Sequence, residues 1–156
     1  MKGFSTTDSP THEGKTNTWL TPLYIVRSLG EFDFDPCGFP GHPTAKTIIC
    51  LPENGLERKW EGRVWLNPPY GRSINVWLKK FTQHNDGIAL LFGRTDTKWF
   101  HSLRPDGIFF LKGRIQFLNS DFEKRTNAGH GSILVAYGKR NVTAILNSKL
   151  QGILYE

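Results

Sequence analysis

At 156 residues the chain has room for one domain with a real core, and its 38% apolar residues exclude a disordered polymer. Charges or glycines interrupt every apolar run short of a membrane span, and no apolar leader opens the chain, so a soluble cytoplasmic protein is expected. The net charge of +6 suits a polyanionic partner such as nucleic acid, although many basic proteins bind none.

Residues 1–18 are polar, with no apolar period, and read as an N-terminal arm. Residues 19–156 then form a single domain. Thr21 as N-cap, Pro22 at the first helical position and Gly30 past the end predict a first helix. Residues 32–35 alternate apolar and acidic side chains before Pro36, which predicts a strand with a carboxylate at its carboxyl end. Residues 37–62 are rich in Gly and Pro around a short apolar run at 47–51. Cys37 and Cys50 lack a CxxC or His-rich setting, so both are expected to be reduced and neither to hold a metal. His12, His42, His84, His101 and His130 are scattered and suggest no metal site.

Residues 63–66 predict a short apolar strand ending at Asn67. Ser73 can cap the next helix, whose Ile74, Trp77, Leu78 and Phe81 fall on one face. The nearly unbroken apolar run at 87–92 predicts a strand buried on both faces. A short helix at 95–103, a hairpin at 108–117 about Lys112-Gly113, a polar loop at 119–131, a strand at 132–137 and a helix at 142–148 complete the chain. Trp60, Trp65, Trp77 and Trp99 read as packing residues. Strands alternating with helices and then a hairpin predict an α/β fold, a mostly parallel sheet with an antiparallel edge hairpin. Ligands in such sheets bind outside the carboxyl ends of the strands, where Asp35-Pro36 and Asn67-Pro68-Pro69-Tyr70 both fall.

Asn67-Pro68-Pro69-Tyr70 carries a definite chemistry. The prolines fix φ twice and remove two donors, and Asn67 before proline stays extended. Carbonyls are left as rigid acceptors, the Asn67 side chain adds another, and Tyr70 offers a flat face to a base. Two acceptors can hold both N–H bonds of an exocyclic amine and favour the pyramidal nitrogen of methyl transfer. A bare tetrapeptide of this kind would be a turn; its place between a buried strand and a helix favours the chemical reading. Arg94, Lys98, Arg114, Lys124 and Arg125 are each ordinary surface charges alone, but as a set they predict phosphate contacts. The polar loop at 119–131 has the length and side chains for target readout.

The ordered segments Trp19-Leu20-Thr21-Pro22, Phe34-Asp35-Pro36-Cys37, Trp60 with Gly62, Val64-Trp65-Leu66-Asn67-Pro68-Pro69-Tyr70-Gly71, Arg94-Thr95-Asp96-Thr97-Lys98-Trp99-Phe100-His101 and Phe110-Leu111-Lys112-Gly113-Arg114-Ile115-Gln116-Phe117 carry a resemblance. Together they resemble the phage-type Dam family of N6-adenine DNA methyltransferases over residues 18–137. The resemblance implies a compact Rossmann-like class I methyltransferase fold, S-adenosylmethionine as methyl donor, double-stranded DNA as partner, and a phage or prophage protein acting in a bacterial host. By position it implies Trp19, Thr21 and Pro22 at the methionine part of the cofactor. It implies Asp35, Pro36 and Cys37 as the first cofactor motif and Asn67, Pro68, Pro69 and Tyr70 as the catalytic motif, with a flipped adenine on Tyr70. Gly38 and Gly41 stand in an imperfect register for the usual glycine turn. Glu53 is the candidate for the ribose and Asn54 for the cofactor adenine. The short interval from Asp35 to Asn67 implies that one βα unit is reduced or missing. Asn-Pro-Pro-Tyr also occurs in methyltransferases acting on RNA or on protein glutamine, and a decayed, purely binding form is a further alternative. Recognition sequence and oligomeric state, monomer or weak dimer, stay open.

Overall fold

The computed structural model describes residues 18–126 and 128–156. All but Thr18 of the expected arm therefore lies outside the described residues. The first helix, α1, spans Leu23–Ser28, and Pro22 rather than Thr21 stands at its N-cap position. Thr21 is instead buried, and its hydroxyl faces Asn67. Gly30 follows the helix at φ 88, the left-handed backbone that glycine adopts without strain.

Three short parallel strands come next: β1 (Phe34–Asp35), β2 (Thr47–Ile48) and β3 (Val64–Leu66). No helix lies between them, so both crossovers, 36–46 and 49–63, are loops. The shortening expected between Asp35 and Asn67 thus affects two connections. Helix α2 (Ile74–His84) buries Ile74, Trp77, Leu78 and Phe81, the face that the apolar period predicts. Ser73 stands at its N-cap position but makes no side-chain cap bond, because its own backbone is already helical. Then come β4 (Gly87–Phe92), buried throughout, α3 (Lys98–Ser102), β5 (Gly107–Leu111), β6 (Ser132–Tyr137), α4 (Lys139–Asn147) and β7 (Gly152–Tyr155).

The seven strands form one mixed sheet in the order β2-β1-β3-β4-β6-β5-β7. The first four are parallel, and the pairs β4–β6, β6–β5 and β5–β7 are antiparallel. The hairpin expected at 108–117 does not form. Residues 114–117 leave the sheet because Ile115 and Phe117 pack as loop side chains into the core, and the following Leu118 pairs with Leu20. Its edge position is taken by β7, which sequence reasoning missed; the strand is short and largely exposed.

Along β4 side chains alternate between two cores. Ile88, Leu90 and Phe92 face α1 and α4, while Ala89 and Leu91 face α2 and α3. The sheet is therefore covered on both sides, and Trp60, Trp65, Trp77 and Trp99 are all buried in this packing. From β1 the chain moves outward to β2, then returns to lay β3 on the other flank of β1. Strand order reverses there, and the carboxyl ends of β1 and β3 border a crevice.

Candidate functional site

Asn67 is the first residue beyond β3 and opens into a cleft of about 870 Å³ at that reversal. Its amide nitrogen donates to the Trp19 carbonyl at 2.7 Å and lies 3.5 Å from the Thr21 hydroxyl. The hydroxyl can donate or accept, but the carbonyl can only accept, so the NH2 end faces Trp19 and Oδ1 points away from it. Neither Oδ1 nor the Pro68 carbonyl accepts a hydrogen bond among the described residues. Asn67, Pro68, Pro69 and Tyr70 all line the cleft.

Tyr70 lies flat against Phe92, with ring centres 4.6 Å apart and planes 22° apart. Strand β4 runs on past the end of β3, and the Phe92 N–H donates to the Tyr70 hydroxyl at 2.6 Å. Burial raises the Tyr70 hydroxyl above its ordinary pKa, so it stays protonated. The ring is thus held at both its face and its tip. The Arg94 guanidinium lies 5.9 Å from the Tyr70 ring centre, and its Nε is buried with no partner among the described residues. A desolvated donor of this kind suits an acceptor supplied by a ligand. His130 lines the cleft beside Phe92; burial, then the charges of Arg94 and Arg114, lower its pKa.

Asp35 does not line the cleft. It is buried behind it, where one oxygen accepts from the Cys37 N–H at 2.9 Å and the other from the Thr44 hydroxyl. Desolvation pushes its carboxyl up to about 6. Asp35 therefore shapes the turn, while Pro36, Cys37 and Gly38 form the wall. Gly38 donates to the Ile49 carbonyl at 2.9 Å, and a Cβ there would come within 2.8 Å of Ile48. Gly55 is tighter still: a Cβ would stand 1.9 Å from the Pro36 carbonyl, so only glycine lets this loop close on β1. Next to it Glu53 and Asn54 are exposed at the rim; Glu53 pairs with Arg58, and Asn54 accepts from the Leu56 N–H at 3.0 Å. Burial, and then the Asp35 charge, raise the pKa of the Cys37 thiol, which is free, as is Cys50.

Trp19 lines the cleft, whereas Thr21 and Pro22 lie outside it. Of the five basic residues singled out as phosphate contacts, Arg94 lines it, whereas Lys98, Arg114 and Lys124 are exposed elsewhere. Arg125 is half-buried with its guanidinium 3.7 Å from the centre of the Trp19 ring. Sequence reasoning missed Phe92 and His130. Phe92 ends β4, a strand buried throughout, and the strand-end rule that singles out Asp35 and Asn67 applies to it equally. Among the described residues no group of three or more His, Cys, Asp or Glu side chains could hold a metal ion, and no helix is long and apolar enough to cross a membrane.

The chain matches the family described as DNA N-6-adenine-methyltransferase (Dam) over residues 8–149. It is 29% identical over 106 residues to a protein of Escherichia phage T1 described as a DNA N-6-adenine-methyltransferase, covering 62% of this chain and 44% of that protein. The chain thus spans less than half the length of this relative. No solved structure matches it.

Proposed function

The chain belongs to the DNA N-6-adenine-methyltransferase (Dam) family, and from that premise we propose that it methylates the N6 amino group of an adenine flipped out of duplex DNA. The observation that carries the reading is the hydrogen bonding of Asn67: its amide nitrogen donates to the Trp19 carbonyl, which leaves Oδ1, like the Pro68 carbonyl, without a donor among the described residues, and both residues line the cleft. In this reading the sheet is Rossmann-like, with its reversal between β1 and β3 serving as the ligand crevice.

The adenine stacks on the face of Tyr70 turned away from Phe92. Oδ1 of Asn67 and the Pro68 carbonyl each accept one amino hydrogen. These bonds pull the nitrogen lone pair out of conjugation and stabilise the positive charge that grows on nitrogen. Rigid prolines hold the acceptors in place before the base arrives, so little reorganisation remains to be done. S-adenosylmethionine would supply an electrophilic methyl group on a sulfonium, its sulfur leaving as a neutral thioether, and the methylated nitrogen would lose one proton to solvent. The cleft fits such a donor: its volume lies within the roughly 300–1,000 Å³ typical of small-molecule sites, and Gly38 and Gly55 keep the loops at the β1 end close-packed. Trp19, Pro36, Cys37 and Gly38 would hold the donor, with Glu53 at the ribose and Asn54 at the adenine. Asp35 would contribute by fixing the turn. The orphaned Nε of Arg94 would meet a phosphate or ring acceptor of the target strand. The target base must leave the duplex stack to lie on Tyr70. In a phage-infected bacterium the cytoplasm would be the place of action.

Modification-sensitive sequencing of plasmid DNA from cells expressing the protein tests the reading. Methylated adenine in a short repeated context is expected. Asn67→Ala and Tyr70→Ala are each expected to lower turnover by about two orders of magnitude or more while still binding S-adenosylmethionine. Unmodified DNA from cells holding folded protein would overturn the reading, and wild-type turnover by both variants would overturn the residue roles.

A further inference from the structure

We infer that Arg125 is a positioning residue for the Asn67 amide, acting through Trp19, rather than a phosphate contact; the inference rests on the methyl-transfer reading above. The argument begins at the Trp19 carbonyl. This single atom receives the Asn67 NH2 at 2.7 Å, with the Thr21 hydroxyl farther off at 3.5 Å. An asparagine amide has nearly the same shape in both orientations, so only its partners select one. If the Trp19 carbonyl withdraws, the flipped amide presents N–H groups to the N–H groups of the substrate amine. The Trp19 peptide therefore selects the acceptor-facing state that methyl transfer needs.

The Trp19 peptide is held from outside by the segment that Arg125 belongs to. The Arg125 guanidinium covers the Trp19 ring at 3.7 Å and donates to the neighbouring Thr18 carbonyl. Phe117 meets the same ring edge-on at 5.6 Å. Leu20 and Leu118 exchange both backbone hydrogen bonds, at 2.9 and 3.0 Å. Arg125 is itself fixed: its N–H donates to the Phe117 carbonyl at 2.9 Å, and its carbonyl accepts from Gln116. A guanidinium spread over a ring face and bound to a backbone carbonyl is engaged inward, away from a polyanion. Arg125 also stands in the polar 119–131 loop. A movement of that loop on DNA would reach Asn67 through Arg125 and Trp19.

The test uses Arg125→Ala and Arg125→Lys in the full chain, with three readouts. The first is the 15N side-chain amide resonance of Asn67, identified by its loss in Asn67→Ala. The second is single-turnover methylation at saturating DNA, and the third is the salt dependence of DNA binding. Arg125→Ala is expected to shift the Asn67 resonance and slow single turnover by about one to two orders of magnitude, with an unchanged salt slope. Arg125→Lys keeps the charge but not the planar stack, and is expected to restore only a small part of the rate. Should the alanine variant not fold, the lysine variant carries the same readouts. An unmoved Asn67 resonance overturns the inference. So does a salt slope reduced by about one ion with full rescue by lysine, which is the behaviour of a phosphate contact. If the unsubstituted protein methylates no DNA, the methyl-transfer reading fails by itself, and the Asn67 resonance still decides whether Arg125 orients the amide.

Discussion

Asp35 is 2% exposed, and both its carboxylate oxygens accept hydrogen bonds inside the protein. Those two bonds lower its pKa, but desolvation outweighs them and moves it from 3.8 to about 6. Between these values the folded chain holds a proton that the unfolded chain has released. Stability therefore falls as pH rises through that window and levels off above about pH 6, a change of roughly 3 kcal/mol. Asp35→Asn can accept from Cys37 and donate to Thr44 without ionising. Its stability is expected to lack this decline in urea unfolding from about pH 4 to about pH 7. Parallel pH profiles for the two proteins would mean that Asp35 titrates like an exposed carboxyl. At this scale the place of Asn67–Pro68–Pro69–Tyr70 just beyond a buried strand was legible, because it is set by neighbours in the chain. The inward turn of Asp35 was not, because it depends on Thr44 arriving from a loop.

Helix α2 illustrates how far a periodic pattern reaches. The four apolar residues named from spacing are the four that it buries, against β3 and β4. Phe81 is fully buried, and Phe81→Ala is expected to cost roughly 3–5 kcal/mol. On the opposite face Val76 is 53% exposed, and Val76→Ala is expected to stay within about 0.5 kcal/mol. Equal losses for the two in urea unfolding would contradict this packing of α2. The expected hairpin at 108–117 failed for a reason that the pattern does not contain. Ile115 and Phe117 are as apolar as strand residues, but Trp19 and the core offer them burial without a ladder. Strand β7 then fills the open edge beside β5.

On the whole molecule the excess of basic residues divides in two. Arg94 and Arg125 are drawn into the packing around Tyr70 and Trp19, whereas Lys98 and Lys124 remain exposed. An exposed cation that meets a phosphate releases a counterion from DNA. Replacing Lys98 and Lys124 together by alanine is expected to lower the salt slope of DNA binding by about two ions. An unchanged slope, measured across a series of salt concentrations, would mean that neither meets a phosphate.

The sequence by itself determined the mixed α/β class, the buried central strand, the amphipathic α2 and the acceptor-rich Asn67–Tyr70 segment. Each follows from covalent geometry or from a period read over a few residues. The tertiary structure alone decided that two crossovers carry no helix, that Asp35 lies behind the cleft, that Phe92 backs Tyr70, and that Trp19 links Arg125 to Asn67. These are choices of partner among residues distant in the chain. They are set by which groups remain unpaired when the sheet closes, a quantity that no local window holds.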